Sequence, residues 1–210
     1  MSTQDLKTYK SIDPGQLDKR AAYALNTSLL IPRPIAWVAT LGPDGVANCA
    51  PFSFFMGVSS FPPVLAFAVG LRRGEVKDTS KNIDHLPEFT VNICNESLGR
   101  QMVRTGHDYP YGTSEFTEAG LAAIPSEQVR PPRIGGAPVQ MECMLHDRHE
   151  IKDTGTVVYY GRVVLFHIDP DVLDPATGLV DARRLMPLGR LGGNEYCRLG
   201  DVIEIRKDGA

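Results

Sequence analysis

Cationic and hydroxyl side chains are concentrated in residues 71–83, which read Leu-Arg-Arg-Gly-Glu-Val-Lys-Asp-Thr-Ser-Lys-Asn-Ile. Any of three adjacent residues could cap a helix that starts here: Asp78, Thr79 and Ser80. The first N–H groups of such a helix have no internal partners, and the helix dipole adds partial positive charge beside them. Lys77 adds a full charge just outside the helix. The stretch therefore predicts a phosphate site, with an ordinary capped helix and solvated lysines as the alternative.

Apolar runs rich in β-branched and aromatic residues predict the elements that position this stretch. The predicted strands cover residues 34–41, 46–55, 64–69, 89–94, 139–145, 156–168 and 202–205. The predicted helices cover residues 13–25, 78–86 and 96–105, the last with Leu98, Met102 and Val103 facing inward. Residues 107–125 form a predicted long surface excursion, a kind of loop that is often functional.

The order of these elements indicates the fold class. Several short strands, few long helices and no βαβ repeat favour a mainly β protein, a closed antiparallel barrel with peripheral helices. No Gly-x-Gly-x-x-Gly follows a strand and no Walker lysine motif occurs, so neither a Rossmann dinucleotide site nor a P-loop is indicated. A single domain over residues 1–210 is predicted, with residues 1–24 as an N-terminal extension and helix and residues 25–205 as the barrel with helical insertions.

Composition narrows the classes of partner. A net charge of -3 and an isoelectric point near 5.9 indicate no nucleic-acid partner, which would need a basic surface. No Cys-x-x-Cys occurs, so no metal site or redox disulfide is indicated, and Cys49, Cys94 and Cys143 are predicted to be buried thiols. His146 and His149 would face opposite sides of a strand and indicate no metal pair. A polar amino terminus and the lack of a membrane-spanning apolar run predict a cytoplasmic protein with no membrane partner.

Short motifs follow one another in a specific order over most of residues 25–200. They are Arg-Pro-Ile-Ala-Trp-Val at 33–38, Asn-Cys-Ala-Pro-Phe-Ser-Phe-Phe at 48–55, Pro-Pro at 62–63, Lys-Asp-Thr-Ser-Lys-Asn-Ile at 77–83, Phe-Thr-Val-Asn-Ile at 89–93 and Gly-Gly-Asn-Glu-Tyr at 192–196. The ordered set resembles the flavin reductase-like, FMN-binding split-barrel family. It is similar in particular to the reductase component of nitrilotriacetate-type two-component monooxygenases. The resemblance implies an FMN-binding split barrel of the antiparallel Greek-key type.

The resemblance also implies FMN as the cofactor, with NADH or NADPH as the electron donor. The flavin ring and ribityl chain would lie along Asn48, Ala50, Pro51, Phe52, Ser53 and Phe54, and the phosphate along Lys77, Asp78, Thr79 and Asn82. Hydride transfer from nicotinamide to flavin needs no acid, base or nucleophile from the protein, so no catalytic residue is assigned. A homodimer and a partner monooxygenase are the further partners that the resemblance implies.

The residues around Pro51 suit a ring-shaped ligand on their own account. Because Pro51 has no N–H, it is expected to interrupt its strand and to leave backbone groups of Ala50, Phe52 and Ser53 free to point at a ligand. Core packing is the alternative for the three phenylalanines within residues 52–55. At least one of the three is expected to be a core residue only, because consecutive side chains on a strand face opposite sides of the sheet.

Residues 190–196, Arg-Leu-Gly-Gly-Asn-Glu-Tyr, form a second predicted binding segment. The glycine pair permits close backbone approach, Arg190 could meet a phosphate, and Tyr196 could stack on an aromatic ring. Arg190, Gly193, Asn194 and Tyr196 are therefore predicted to bind substrate. The alternative is a flexible turn before the last strand.

One region departs from the family pattern. Family reductases that consume nicotinamide cofactors often show Gly-Asp-His near the last long strand, whereas residues 152–157 read Lys-Asp-Thr-Gly-Thr-Val. Three hypotheses therefore stay open. The leading one is an NAD(P)H-dependent flavin reductase that passes electrons to an acceptor or a partner monooxygenase. The others are a non-catalytic FMN-binding protein and a barrel that binds a protein or peptide without flavin.

Overall fold

Strands dominate the computed structural model, which describes residues 8–206. The strands are β1 (Ala36–Leu41), β2 (Ala47–Phe52), β3 (Phe55–Ser60), β4 (Pro63–Val69), β5 (Glu88–Ile93), β6 (Ala123–Ile124), β7 (Arg133–Ile134), β8 (Val139–Ile151), β9 (Thr156–Ile168), β10 (Gly189–Arg190) and β11 (Tyr196–Cys197). Seven of them form one antiparallel sheet in the order β2-β1-β5-β8-β9-β4-β3, and β6–β7 and β10–β11 are separate short pairs. The first seven residues, predicted to belong to an N-terminal extension, lie outside the described residues.

Short helices cover the sheet. They are α1 (Lys19–Leu29), α2 (Asp78–His85), α3 (Gly99–Arg104), α4 (Glu115–Ala119) and α5 (Ala182–Leu185), with single 3-10 turns at Pro14–Gln16, Glu96–Leu98 and Pro170–Val172. Within residues 8–206, none of these helices is both long enough and apolar enough to span a lipid bilayer.

β2 and β3 occupy opposite edges of the sheet, although only Ser53 and Phe54 separate them in the chain. The sheet therefore curls, and the N–H of Ala68 in β4 donates to the Phe54 carbonyl at 2.9 Å. The ring of Phe52, at the end of β2, lies 5.5 Å from that of Phe67 in β4, measured between centroids. The predicted antiparallel, mainly β architecture is confirmed. The predicted closure of the barrel is not confirmed. No hydrogen-bonded ladder in residues 8–206 pairs β2 with β3, so the barrel is split between these two strands.

Strand β1 is buried on both faces, which explains its mostly apolar sequence. Ala36 and Val38 face the interior of the curled sheet. Trp37 and Ala39 face the opposite way, into a second core shared with side chains of α3 and α4. The Trp37 indole N–H donates to the hydroxyl of Thr105 at 2.9 Å, which fixes the end of α3 against the sheet. The strand predicted at residues 34–41 is confirmed as β1.

The interior core is built around Phe67. Its ring centroid lies 5.4 Å from that of Phe89 in an edge-to-face arrangement and 5.7 Å from that of Tyr159 in a stacked one. These residues come from β4, β5 and β9, so the contacts join strands that are far apart in sequence. Aromatic pairs of this kind add to the stabilisation from burial.

The three cysteines predicted to be buried thiols are buried and unpaired. Burial raises the pKa of Cys94 to about 12 and raises that of Cys49 and Cys143 as well. These thiols therefore stay protonated, and Cys49 and Cys143 act as small core residues.

The helix predicted at residues 13–25 is wrong at both ends. Asp13 instead starts a single 3-10 turn, where its carboxylate accepts a hydrogen bond from the Gly15 N–H at 2.9 Å. Asp18 caps α1 by accepting from the Ala21 N–H at 2.7 Å, and the helix then continues to Leu29. Two aspartates that can each cap a turn made the start ambiguous from sequence.

The strand predicted at residues 46–55 is in fact two strands. β2 ends at Phe52, and β3 begins at Phe55 and continues through Ser60, beyond the predicted end of the strand. β3 contains Gly57, Ser59 and Ser60 and has no apolar alternation. It forms because β4 offers a free edge, which the sequence of β3 does not reveal.

The last predicted strand, residues 202–205, is also wrong. Residues 198–206 have no regular structure, and Ile203 and Ile205 are exposed. Neither residue pairs with a strand in the described part of the chain. The glycine-rich segment before them forms the β10–β11 hairpin instead.

The helix predicted at residues 96–105 begins as a 3-10 turn and becomes α-helical only in α3. Met102 is fully buried and Leu98 is partly buried, as predicted, but Val103 is 41% exposed, which contradicts the prediction for that residue. The excursion predicted at residues 107–125 includes α4.

Candidate functional site

An open cleft of about 640 Å³ lies where the barrel is split. We call it the split cleft; its walls are the β2–β3 connection, the loop after β4, the start of α2, one face of α1 and the β8–β9 turn. A volume of this size is typical of sites for small organic ligands.

One wall of the split cleft is apolar. Pro51, Phe52 and Phe54 line it, but they differ in burial. Phe52 is 5% exposed and packs on Phe67, so most of its ring belongs to the core. Phe54 is 41% exposed and offers its ring to the cleft. Phe55 packs against the interior core, so the prediction that at least one phenylalanine here is a core residue is confirmed.

Cationic side chains also line the split cleft, namely those of Lys19, Arg73 and Lys77. The ammonium nitrogen of Lys77 lies 5.3 Å from the ring centroid of Phe52. Burial lowers the pKa of Lys77 below its ordinary value, Arg72 lowers it further, and the negative charge of Asp108 opposes the change. Within the described residues Lys77 forms no ion pair, so its charge is available to an anion.

Lys77 also directly precedes α2, which begins at Asp78. It occupies the N-cap position, and no side chain caps the helix, so the predicted caps Asp78, Thr79 and Ser80 are wrong in that role. All three lie in the first turn, and the Ser80 N–H already bonds the Lys77 carbonyl at 3.0 Å. The N–H groups of Asp78 and Thr79 are left for another acceptor. An uncapped helix start with an adjacent lysine fits an anion.

A buried hydrogen-bond network lies behind this helix start. The Asn48 side-chain oxygen accepts from the hydroxyls of Thr79 at 3.2 Å and Thr40 at 3.3 Å. The Asn82 amide nitrogen donates to the Thr40 hydroxyl at 3.0 Å. The Thr79 hydroxyl thus bonds the protein, and the residue is 1% exposed. Asn48 and Asn82 position α2 against β1 and β2.

Glu115 closes the network from α4. Both of its carboxylate oxygens accept from the Asn48 amide nitrogen at 2.8 Å, and one also accepts from the Cys49 N–H at 3.2 Å. Burial raises the pKa of Glu115 to about 7, the charge of Asp78 acts in the same direction, and the hydrogen bonds oppose the rise. Sequence reasoning missed Glu115, since nothing in its local sequence sets it apart from a surface helix residue.

The prediction that Pro51 interrupts its strand is wrong. It pairs in register with Trp37, and β2 is an edge strand, where a missing N–H is tolerated. The Cys49 N–H points away from β1, toward Glu115. By strand alternation the N–H groups of Ala50 and Phe52 therefore face β1 and are not free for a ligand, which corrects that part of the prediction.

Arg33 is a structural residue of the site that the sequence interpretation did not single out. It is 7% exposed, and its guanidinium donates to the carbonyls of Thr27 at 2.6 Å, Leu30 at 2.7 Å and Leu191 at 2.9 Å. It also donates to the Ser53 hydroxyl at 3.2 Å. One side chain therefore joins the end of α1, the β2–β3 connection and the β10–β11 hairpin. A lone arginine between apolar residues and prolines was the available signal.

The residues of the second predicted segment line a different surface. Arg190, Asn194 and Tyr196 border a groove of about 540 Å³ whose apolar side includes Met102 and Leu188. The Arg190 guanidinium carbon lies 4.4 Å from the ring centroid of Tyr196, and the guanidinium also donates to the Gly193 carbonyl. The segment forms the β10–β11 hairpin, and the alternative of a flexible turn before the last strand is therefore wrong.

The sequence-predicted residues thus fall into three groups. Pro51, Phe52, Ser53, Phe54 and Lys77 line the split cleft. Asn48, Thr79 and Asn82 form the buried network, Asp78 is in the first turn of α2, and Ala50 packs against the interior core. Arg190, Asn194 and Tyr196 lie at the separate groove, with Gly193 in the turn between β10 and β11.

A curled antiparallel sheet, split where a cationic and aromatic cleft opens, defines the class of small split β-barrel proteins. Comparison with protein families identifies the family within this class. The chain belongs to the flavin reductase like domain family, whose model matches residues 28–188.

Solved structures agree with this assignment. Nitrilotriacetate monooxygenase component B from Bacillus cereus is 34% identical with a TM-score of 0.90, and the match covers 95% of this chain and 100% of that one. The 2-nitrobenzoate 2-nitroreductase NbaA from Pseudomonas fluorescens is 32% identical with a TM-score of 0.87, covering 95% and 97%. A split-barrel protein assigned as a flavin reductase, from Shewanella frigidimarina, is 19% identical with a TM-score of 0.82, covering 92% and 96%, and shows the fold alone. The predicted family and the split-barrel fold are confirmed.

Proposed function

We propose that this protein is a flavin reductase that binds FMN in the split cleft, accepts reducing equivalents from NADH or NADPH and passes electrons to an acceptor or a partner monooxygenase. The observation that carries the proposal is that the exposed ring of Phe54 lines the same cleft as Lys77, which directly precedes α2 and forms no ion pair within residues 8–206. The similarity to nitrilotriacetate monooxygenase component B supports a partner, because that protein is by name one component of a monooxygenase.

The residues of the split cleft fit FMN in both chemistry and size. Lys77 and the free N–H groups at the start of α2 suit a phosphate monoester, and Arg73, which pairs with Asp108 at 2.9 Å, also lines the cleft. Pro51 and Phe54 offer apolar surface for a planar ring. The volume of about 640 Å³ is within the range of cofactor sites. One end of the cleft therefore suits a phosphate, and its apolar surface suits an aromatic ring.

Bound FMN supplies hydride acceptance and electron transfer. The residues of the chain supply binding and orientation: Lys77 neutralises phosphate charge, and Arg33 holds Ser53 and Phe54 in place. No carboxylate, histidine or cysteine lines the split cleft in the part of the chain that the structure describes. The proposal therefore assigns no catalytic residue.

A specific observation favours a second candidate, a non-catalytic FMN-binding protein. Thr154 and Thr156, from the β8–β9 turn, line the split cleft in the region where many family reductases that use nicotinamide carry a histidine. Hydroxyl groups there can bind a polar part of the cofactor, but they do not supply a positive charge. The two candidates differ in whether a nicotinamide donor reduces the bound flavin.

We also propose a homodimer as the assembly. β3 is an edge strand, and Met56 and Val58 on it are 60% and 48% exposed. Phe61, which follows it, is 96% exposed. Exposed apolar groups beside an unpaired strand edge are typical of surfaces that associate. A second copy of the chain would cover them.

An anaerobic titration tests the proposed activity. The purified protein is loaded with FMN, and the visible absorbance of the flavin is followed while NADH and then NADPH are added. Prompt bleaching by either donor supports the reductase. Reduction by dithionite but by neither nicotinamide would support the non-catalytic FMN-binding protein. Failure to bind FMN at all would overturn both candidates.

A further inference from the structure

The β10–β11 hairpin and α3 border a groove of about 540 Å³, which we call the hairpin groove. Its lining includes Arg100, Val103, Leu188, Arg190, Asn194 and Tyr196. None of its lining residues also lines the split cleft. A concave site of this volume is within the range of sites for small organic ligands, and the proposed function assigns no ligand to it.

Much of the hairpin groove is apolar. Met102 in its lining is fully buried, whereas Val103 on the same helix is 41% exposed. Leu188 and the ring of Tyr196 line it from the segment that contains the hairpin. A tyrosine ring beside aliphatic side chains suits an aromatic ligand, because contacts between aromatic rings add to the stabilisation from burial.

Two cations in the lining have no carboxylate partner in the described part of the chain. Arg100 is exposed, and neither Arg100 nor Arg190 forms an ion pair there. The Arg190 guanidinium lies 4.4 Å from the ring centroid of Tyr196 and donates to one hairpin carbonyl, which leaves other N–H donors of its fork free. Glu96, an acidic residue of the lining, is paired with Arg198. The charge left without a partner is therefore positive, which is complementary to an anion.

The hairpin is fixed in place by the protein itself. The backbone N–H groups of Arg33 and Arg190 each donate to the carbonyl of the other residue, at 3.0 and 2.8 Å. The Arg33 guanidinium also donates to the Leu191 carbonyl at 2.9 Å. At Gly99 in α3 a Cβ atom would lie 2.9 Å from a methyl carbon of Leu188, so the helix approaches this segment as closely as glycine allows. A preformed groove of this kind loses little conformational entropy when a ligand binds.

We propose that the hairpin groove binds an aromatic carboxylate. The ring of this ligand contacts Val103, Leu188 and Tyr196. Its carboxylate is bound by Arg100 and Arg190, whose charges have no other partner. The proposal goes beyond the proposed function, because it assigns a second ligand at a site that shares no lining residue with the split cleft.

Binding of β-naphthoate to the FMN-loaded protein tests the proposal, with heat of binding as the readout and with FMN occupying the split cleft. We expect saturable binding in the parent. Val103→Glu places a like charge beside the ligand and should weaken binding by about 10-fold or more. Val202→Glu, at a residue that is also 41% exposed and does not line the groove, is the matched control and should bind as the parent does.

A second variant tests the charge requirement. Arg100→Gln should weaken β-naphthoate by about 10-fold, the value of a lost charge-assisted hydrogen bond. The affinity for β-naphthylmethanol, which has the same ring and no charge, should change by less than about 3-fold in this variant. Arg20→Gln, at an exposed arginine of α1 that does not line the groove, is the control and should change neither affinity.

Four results would overturn the proposal. The first two are no saturable binding of β-naphthoate, and equal affinity in the parent and either groove variant. The third is competition between β-naphthoate and FMN, which would place the anion in the split cleft. The fourth is a dimeric parent and a monomeric Val103→Glu protein in light scattering, since a second copy of the chain would then cover the groove. A protein that binds no FMN fails the proposed function instead, and the same titration of the flavin-free protein then tests the groove by itself.

Discussion

The carboxylate of Glu115 accepts two hydrogen bonds of 2.8 Å from the amide nitrogen of Asn48, one at each oxygen. The Asn48 oxygen in turn accepts from Thr79, in the first turn of α2. A residue of α4 therefore positions the helix start that borders the split cleft. The contact is buried, so its strength depends on the protonation state of Glu115.

The first prediction concerns the pH dependence of stability. The pKa of Glu115 is about 7 in the folded protein and 4.5 as a free group. The folded state therefore holds this proton more tightly, and the stabilisation is complete below pH 4.5 and is lost as pH rises through about 7. The loss amounts to about 3 kcal/mol. Chemical denaturation should show a fall in unfolding free energy from pH 5 to pH 8 that is smaller in Glu115→Gln.

Glu118→Gln is the control for this experiment, because Glu118 lies on the same helix and makes no contact with Asn48. It should keep the pH dependence of the parent protein. An identical fall in parent and Glu115→Gln would show that Glu115 does not titrate in this range.

The second prediction concerns the phosphate. Lys77→Met removes a cation that forms no ion pair in the described chain and should cost about 1.5 to 3 kcal/mol of FMN affinity, the value of a charge-assisted hydrogen bond. Riboflavin, which has no phosphate, should bind almost as before. Flavin fluorescence titrations with both ligands measure the two affinities. Lys10→Met, at an exposed position away from the cleft, is the control. Equal losses for FMN and riboflavin would place the phosphate elsewhere.

Sequence alone predicted those structural elements around the split cleft whose signal is local. The apolar run of β1 and the lysine before α2 could be interpreted without knowing which other strands or helices they contact. β3 and the β10–β11 hairpin could not, because their small residues form strands only where another strand offers hydrogen bonds.

Burial explains the errors at the site. Thr79 has the residue type of a ligand donor, but its hydroxyl is turned to Asn48, a contact set by the packing of α2 on the sheet. The raised pKa of Glu115 likewise arises from burial. Neither a tertiary contact nor burial is encoded in the spacing of residues along one segment.

The third prediction concerns Arg33, which supports the split cleft from behind. Arg33→Lys keeps the charge but cannot reproduce a planar fork that reaches four acceptors, so buried carbonyls lose their donors. We expect a loss of about 3 kcal/mol of unfolding free energy. Arg20→Lys, at an exposed position of α1, should change stability by less than about 0.5 kcal/mol. Thermal or urea denaturation of both variants measures the difference, and an Arg33→Lys protein as stable as its parent would contradict the role.

The last prediction concerns the assembly. Met56 and Val58 expose apolar side chains on an edge strand whose outer backbone groups have no neighbour in the described chain. If a second copy covers this edge, the double substitution Met56→Glu and Val58→Glu places four charges at a closed two-fold interface, where like charges repel and lose their hydration. We therefore expect light scattering to give a dimeric mass for the parent and a monomeric mass for the variant. The pair Val202→Glu and Ile203→Glu, which alters exposed apolar residues near the carboxyl terminus, should remain dimeric. A monomeric parent with FMN bound would rule out the homodimer, and a dimeric β3 variant would place the interface on another surface.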